Sequence, residues 1–448
     1  MRPLLIAFTA LWLPSLWACG STCKDIAAHQ RELMNRPAET DDPHFAVGLS
    51  LKRINSLIAK RVTKIEPQPI KLGGLGRFKN AIGNLSIAPK RLQLVPTSPG
   101  HVGVKATFDI RQKGSPIFDV TFRTDIEPIL DTEKGTMRIE LKASDFKSVK
   151  ADLSPKAADR VTNILWKKVP KGLKLLGKKN VKRAARKAVS SLSSQAYNFV
   201  KGPLAAHLGT LARIEVAMPP FPIAELSVRT NRYSGGILEV GARTSLGVQD
   251  GLESNGAEMK SKKTQALVRF SGNAFATLGN WFLREGMIQT HYTSKGKPDD
   301  KGAYTPAFDW VHGDDRPLKV HVYKNKGECI HARIGGRPTL AMAEKGKVKV
   351  GVEGGEIERV DGPALIEIAG WAYSLWADAI EISKDITAQT RVKIAGTRYQ
   401  LGLSEAEVFN DEVILGLRVE EAPKGKSSAP KASAPQYAPG DWMARRCE

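Results

Sequence analysis

Apolar side chains stand at every second position through Val102, Val104, Ala106, Phe108 and Ile110. The same period returns through Phe118, Val120, Phe122, Thr124 and Ile126, and again through Met137, Ile139 and Leu141. A two-residue period places all of these on one side of a pleated strand, so this chain must bury a face of a sheet. The separators, Gln112-Lys113-Gly114-Ser115-Pro116 and Asp131-Thr132-Glu133-Lys134-Gly135, are turn sequences. The segment therefore predicts an antiparallel meander with one buried face.

Helical spacing flanks the meander. Asp42-Pro43 has the form of an N-cap followed by proline in the first helical position. Val47, Leu51, Ile54, Ile58, Val62 and Ile65 then recur at three- and four-residue steps, with Lys52, Arg53, Lys60 and Arg61 off the stripe. One amphipathic helix is expected there. Ser154 to Leu211 is helix-like again, broken at Pro170, Gly172, Gly177 and Gly202-Pro203. Strands are expected at Arg213 to Met218, Ile223 to Thr230 and Gly236 to Val248, before a polar stretch from Asp250 to Lys263.

Beyond that stretch, a strand from Gln265 to Ser271 precedes a helix from Asn273 to Glu285, capped by Asn273 and closed by Gly286. Phe275, Leu278 and Phe282 share one of its faces. Further strands are expected at Leu318 to Tyr323, Thr339 to Ala343, Val348 to Val352, Ala364 to Ser383, Thr390 to Leu403 and Glu412 to Glu420.

The N-terminus carries a different signal. Arg2 precedes an apolar stretch from Leu4 to Trp17, too short to span a bilayer, and Ala18 precedes Cys19. Leu16 to Ser21 resembles a bacterial lipobox, in which the cysteine becomes the first mature residue and carries acyl chains; Trp17 stands where a small residue is usual. Residues 1–18 are thus expected to be a signal peptide and 19–41 a lipidated cysteine with a flexible tether, on an outer-membrane lipoprotein facing periplasm or cell surface. Cleavage after Ala18 would instead give a soluble secreted or periplasmic protein. No later stretch is apolar enough to span a membrane.

The net charge of +22 favours anionic partners. Much of it lies in an acid-free run: Lys167, Lys168, Lys171, Lys174, Lys178, Lys179, Lys182, Arg183, Arg186 and Lys187, with Leu173, Leu175, Leu176 and Val181 among them. Such a run is either a membrane-surface segment or a solvated helical face covering the sheet. With Cys19 assigned to the anchor, Cys23, Cys329 and Cys447 form an odd set with no CxxC pair, so no zinc cage or redox motif is indicated.

The order of helix, meander, long helix, returning strands and the stretch from Ala266 to Gly286 (ALVRFSGNAFATLGNWFLREG) resembles the bactericidal/permeability-increasing and lipopolysaccharide-binding protein family. The likeness extends over roughly residues 43–420, and only Leu267 to Gly286 is close in letters. It implies an α+β fold of two tubular lipid-binding domains in a boomerang, each a long curved antiparallel sheet wrapped on an amphipathic helix. The domains would span 42–250 and 264–421, with a linker at 251–263 and a disordered tail at 422–448. The family's disulfide has no counterpart, because no cysteine lies between Cys23 and Cys329.

On this resemblance the protein would hold phospholipid or lipopolysaccharide acyl chains against Val47, Leu51, Ile54, Ile58, Val62, Phe108, Val120, Phe122, Phe275, Leu278 and Phe282, and could shuttle lipid. Those residues are also the expected core. The alternative is a surface scaffold that binds anionic envelope polymers through the basic run. No catalytic residues, metal ligands or cofactor are assigned: GxSxG, HExxH and GxxxxGK[ST] are all missing. His312-Gly-Asp314-Asp315, with His321 beyond, reads as a charged loop before a strand. Export disfavours nucleic acid as a partner.

Overall fold

A computed structural model describes residues 14–70, 85–142, 150–153, 203–252, 264–342, 348–362, 380–382 and 391–422, apart from 220, 232–235, 287, 295–296 and 325–326. It also describes 144–145, 159, 162–163, 166–167, 179–180, 183 and 197–198.

The chain opens with helix α1 (Pro14–Met34), strand β1 (Phe45–Ser50) and helix α2 (Leu51–Val62). Then come β2 (Gln68–Ile70), β3 (Leu85–Val95), β4 (Val102–Gln112), β5 (Ser115–Ile126), β6 (Ile129–Asp131), β7 (Thr136–Ile139) and β8 (Lys150–Leu153). Helix α3 (Pro203–Ala212) leads into β9 (Ile214–Ala217), β10 (Ile223–Asn231), β11 (Ile237–Thr244) and β12 (Ala266–Ser271), and α4 (Gly272–Arg284) follows at once. The remaining strands are β13 (Tyr304–Trp310), β14 (Leu318–Lys324), β15 (Ile330–Met342), β16 (Val348–Asp361) and β17 (Ile380–Ile382). The last are β18 (Arg391–Ile394), β19 (Thr397–Phe409) and β20 (Glu412–Glu421).

Among the described residues, three antiparallel sheets result. The largest has ten strands in the order β10-β11-β1-β12-β20-β19-β18-β9-β7-β6. Its two ends come together: a Cβ on Gly135, in the β6–β7 turn, would stand 3.1 Å from Ile223 at the start of β10. The sheet is therefore a nearly closed barrel. The other sheets have five strands each, β2-β3-β4-β5-β8 and β13-β14-β15-β16-β17.

Strand β1 explains the shared barrel. Phe45, Ala46, Val47 and Leu49 are all buried, a run with no polar side to offer solvent. It sits between β11 and β12, with Val47 opposite both Val240 and Val268. The helix expected from Asp42 therefore begins only at Leu51, where the Ser50 hydroxyl caps it by accepting from the Arg53 amide at 3.3 Å. Val47 fits a helical stripe and a buried strand equally well, and the continuous apolar run before Ser50 decides for the strand.

This arrangement corrects the expected boomerang of two lipid tubes. One barrel draws strands from both halves of the chain, and no long curved sheet wraps its own amphipathic helix among the described residues. The residues expected to line an acyl pocket pack against one another in the core instead. Val47, Leu51, Ile54, Ile58, Val62, Phe108, Val120, Phe122 and Leu278 belong to one apolar cluster, with Phe275 and Phe282 half-buried against it. The T-shaped pair Phe108–Phe122, 5.6 Å between ring centroids, occupies space an acyl chain would need. Phospholipid and lipopolysaccharide acyl chains are accordingly withdrawn as ligands of these residues.

The outer side of β12 is polar. Arg269 is buried between Glu412 on β20, at 2.6 and 2.9 Å, and Glu239 on β11, at 3.1 Å; Glu239 also takes Arg229. Opposite charges brought together from β10, β11, β12 and β20 let this row leave water. No described helix is long and apolar enough to cross a membrane.

Candidate metal centre

Strand β14, Leu-Lys-Val-His-Val-Tyr-Lys, alternates apolar with polar, yet Leu318 to Tyr323 are all buried. Leu318, Val320 and Val322 face one way. Lys319, His321 and Tyr323 face the other. Lys319 is matched by Asp314 at 2.8 Å and by Glu358. On β15, His331 stands directly opposite Tyr323, and His321 opposite Arg333, so the two histidines are diagonal neighbours on one face.

Helix α1 covers that face. Ile26 and Leu33 are buried against Ala307 and Tyr323, and Gln30 donates to the Thr305 hydroxyl at 2.9 Å. A disulfide between Cys23 and Cys329, with 5.3 Å between Cα atoms, joins the helix to the segment before β15. His29 follows six residues after Cys23, about 9 Å along the helix axis. Its ring centroid lies 5.4 Å from that of His321 and 4.9 Å from that of His331. One ligating nitrogen from each of the three histidines lies within 4.8 Å of the others.

The hydrogen bonds orient the rings. His331 Nδ1 is 3.1 Å from an Asp361 carboxylate oxygen, His331 Nε2 is 3.0 Å from His321 Nδ1, and His29 Nδ1 is 2.8 Å from the Tyr323 hydroxyl. With Asp361 ionised, His331 Nδ1 donates and its Nε2 keeps a lone pair, an assignment made from the network. His321 Nε2 is buried with no hydrogen-bond partner. A carboxylate on the outer nitrogen of a histidine is the support that metal-ligating imidazoles commonly have.

Burial pushes His321 down to about 3, with the neighbouring His331, His29, Arg333 and Arg36 adding to it. Burial also lowers His331, against the opposing bond to Asp361. Burial opposes ionisation of Asp361, but bonds from Arg359 and His331 outweigh it and hold the carboxyl below its usual range. The two sheet imidazoles are thus neutral at ordinary pH, with lone pairs available to a cation.

Three imidazoles suit Zn²⁺, Cu²⁺ or Ni²⁺ and not Mg²⁺ or Ca²⁺, which take oxygen ligands. Tetrahedral Zn²⁺ with bonds of about 2.0–2.1 Å needs donors roughly 3.4 Å apart. The His321–His331 pair is already near that separation, and His29, half-buried on the helix, closes the outer side.

Apart from His321, the residues singled out by sequence lie elsewhere. Lys167, Lys179 and Arg183 are exposed, while Lys168, Lys171, Lys174, Lys178, Lys182, Arg186 and Lys187 lie outside the described residues. Cys19 falls within α1, and Cys447 outside the described residues. Residues 19–34 of the expected tether are helical. The loop His312-Gly-Asp314-Asp315 is dispersed: His312 meets Asp411 at 3.1 Å, Asp314 holds Lys319, and His321 joins the centre. His312 instead lines a polar recess of about 370 Å³ with Asp42, Asp250, Trp310 and Asp411. The centre was missed because His29 is nearly 300 residues from its partners; the alternation Lys319-Val-His-Val-Tyr323 was the available signal.

No protein-family model matches the chain, and no curated protein matches it. Among solved structures, P47 of Clostridium botulinum E1 is similar at 10% identity and a TM-score of 0.49, over 85% of this chain and 99% of that one. P47 from Clostridium botulinum A2 is similar at 9% identity and 0.46, over 84% and 97%. A lipopolysaccharide binding protein aligns at 11% identity over 85% and 100%, but with a TM-score of 0.22. Likenesses at this level assign no family, and the resemblance to the lipopolysaccharide-binding family is corrected by the barrel topology described above.

Proposed function

We propose that the protein is an exported, non-catalytic binding protein of the cell envelope whose ligand at His29, His321 and His331 is a divalent transition-metal ion, with Zn²⁺ the first candidate. The observation that carries this reading is the convergence of three imidazoles, one of them oriented by a carboxylate. Export is supported by the N-terminal segment and by the Cys23–Cys329 disulfide, a bond that persists in oxidising compartments. Processing before Cys19 would leave an acyl anchor four residues from that disulfide and hold the histidine face near the membrane.

Purified mature protein should bind one Zn²⁺ per chain in a chelator-competition titration, and His321→Ala/His331→Ala should abolish it. Equal binding by wild type and variant would refute the assignment.

A second reading concerns the basic run. Its described cations Lys167, Lys179 and Arg183 are exposed, and the net charge is +22. Binding of an anionic envelope polymer there is the scaffold reading. Replacing the ten cations from Lys167 to Lys187 with Gln should abolish retention on a polyanion column while leaving Zn²⁺ binding intact; unchanged retention would refute it.

A further inference from the structure

Resting on the metal reading, we infer that the three-histidine centre is complete only when Cys23 and Cys329 are joined, so that the chain loads its metal after export and not before. The two sheet histidines need nothing from α1: they are set by the β14–β15 register and by Asp361. The third ligand comes wholly from α1. What holds that helix against the sheet is a short set of contacts.

Among its described side chains, Ile26 and Leu33 are buried against the sheet with Met34 partly buried beside them, and Gln30–Thr305 and His29–Tyr323 are polar bonds to it. Just beyond its end Arg36 pairs with Asp309 at 2.9 Å, with Arg36 about one-third exposed. Against these stands the ordering of the helix that bears them. The disulfide shifts the balance. It pins the helix six residues before His29 and holds that imidazole at high effective concentration over the other two. Without the bond the sheet presents a two-histidine half-site, and the third ligand must be supplied by a helix free to leave.

The chemistry of opening is balanced by a dithiol. Its two thiols close to a cyclic disulfide, and the two electrons and two protons released convert the Cys23–Cys329 bond into two thiols. In a reducing cytoplasm the chain would therefore carry the half-site, and the oxidising side of the membrane would complete it.

The test compares Zn²⁺ affinity, by chelator competition, of the oxidised mature protein, the Cys23→Ala/Cys329→Ala variant and His29→Ala. Both variants should bind at least tenfold more weakly than the oxidised protein, and by similar factors. Near-UV circular dichroism reports whether the double-cysteine variant keeps its fold. Should it not, wild type reduced by a dithiol and alkylated provides the same comparison, with no free thiol left as a substitute ligand. Weakening in either sample supports the inference. Tight binding by both oxidised and cysteine-free protein would overturn it and leave the metal reading standing. Failure of the oxidised protein itself to bind Zn²⁺ would remove both.

Discussion

Arg269→Met isolates a buried ion-pair network in the barrel. Arg269 is 1% exposed, and its guanidinium donates twice to Glu412 and once to Glu239. Methionine keeps the stem and removes the charge. Glu239 retains Arg229, so the larger loss falls on Glu412. Removing one member of a buried ion pair typically costs about 3–5 kcal/mol, chiefly because the remaining charge is left in a poorly solvating site. Replacing both partners by apolar groups of similar volume is often neutral. Arg269→Met should therefore lower stability by about 4 kcal/mol. Arg269→Met/Glu412→Leu should recover most of it.

The assay is urea unfolding followed by tryptophan fluorescence, compared through midpoints at unchanged slope. The deficit of the single variant should also shrink as pH falls from 7 to 5. A buried carboxylate deprived of its guanidinium partner has a raised pKa, so protonation on the acid side relieves the penalty, and the penalty is full above that raised value. A loss below about 1 kcal/mol, the range of an exposed pair, would refute the reasoning. So would a double variant no more stable than the single one.

Other outcomes follow from single sites. His44 is fully buried, and burial, with Arg243 adding and Thr40 opposing, lowers its pKa to about 4. Its unfolded imidazole takes a proton near 6.5 that the folded one refuses, so stability should fall as pH drops from 6.5 to about 4, by roughly 3 kcal/mol in total; His44→Gln should remove that component from melting curves at pH 7 and 4.5. Gly272→Ala would place a Cβ 2.0 Å from the Trp310 ring. It should undock the β12–α4 junction, visible as lost near-UV tryptophan ellipticity. Ser50→Ala removes the α2 cap and should cost about 1 kcal/mol in urea unfolding.

How legible this fold is depends on whether a local pattern has one physical cause. The β4–β5 hairpin was readable because alternation alone marks a strand with one buried face, whereas the third strand expected of that meander, β7, left it to pair with β6 and β9 in the barrel. The strand expected from Thr390 to Leu403 is instead a hairpin, turned at Ala395-Gly396 where both residues have positive φ. Glycine there is a turn signal that a strand-like flank concealed. Strand β13 went unread since Pro306 interrupts it; as the edge strand of its sheet it can accommodate a missing donor. The short strand β1 was hidden by the coincidence of periods at Val47 and Leu51. In each case the missing information was the element's neighbours.

The histidine centre makes the same point for function. Lys319, His321 and Tyr323 alternate with valines, as they would on a strand with one face in water. Only the cover supplied by α1 makes that face an interior, and the described apolar side chains it packs there are Ile26, Leu33 and, partly buried, Met34. Three described apolar side chains are a small anchor for a lid. Something directional must add to it. A disulfide and three converging imidazoles are two such devices placed six residues apart on one helix, and together they account for why a polar strand face, a histidine near the N-terminus and a cysteine beside a signal segment occur in one chain.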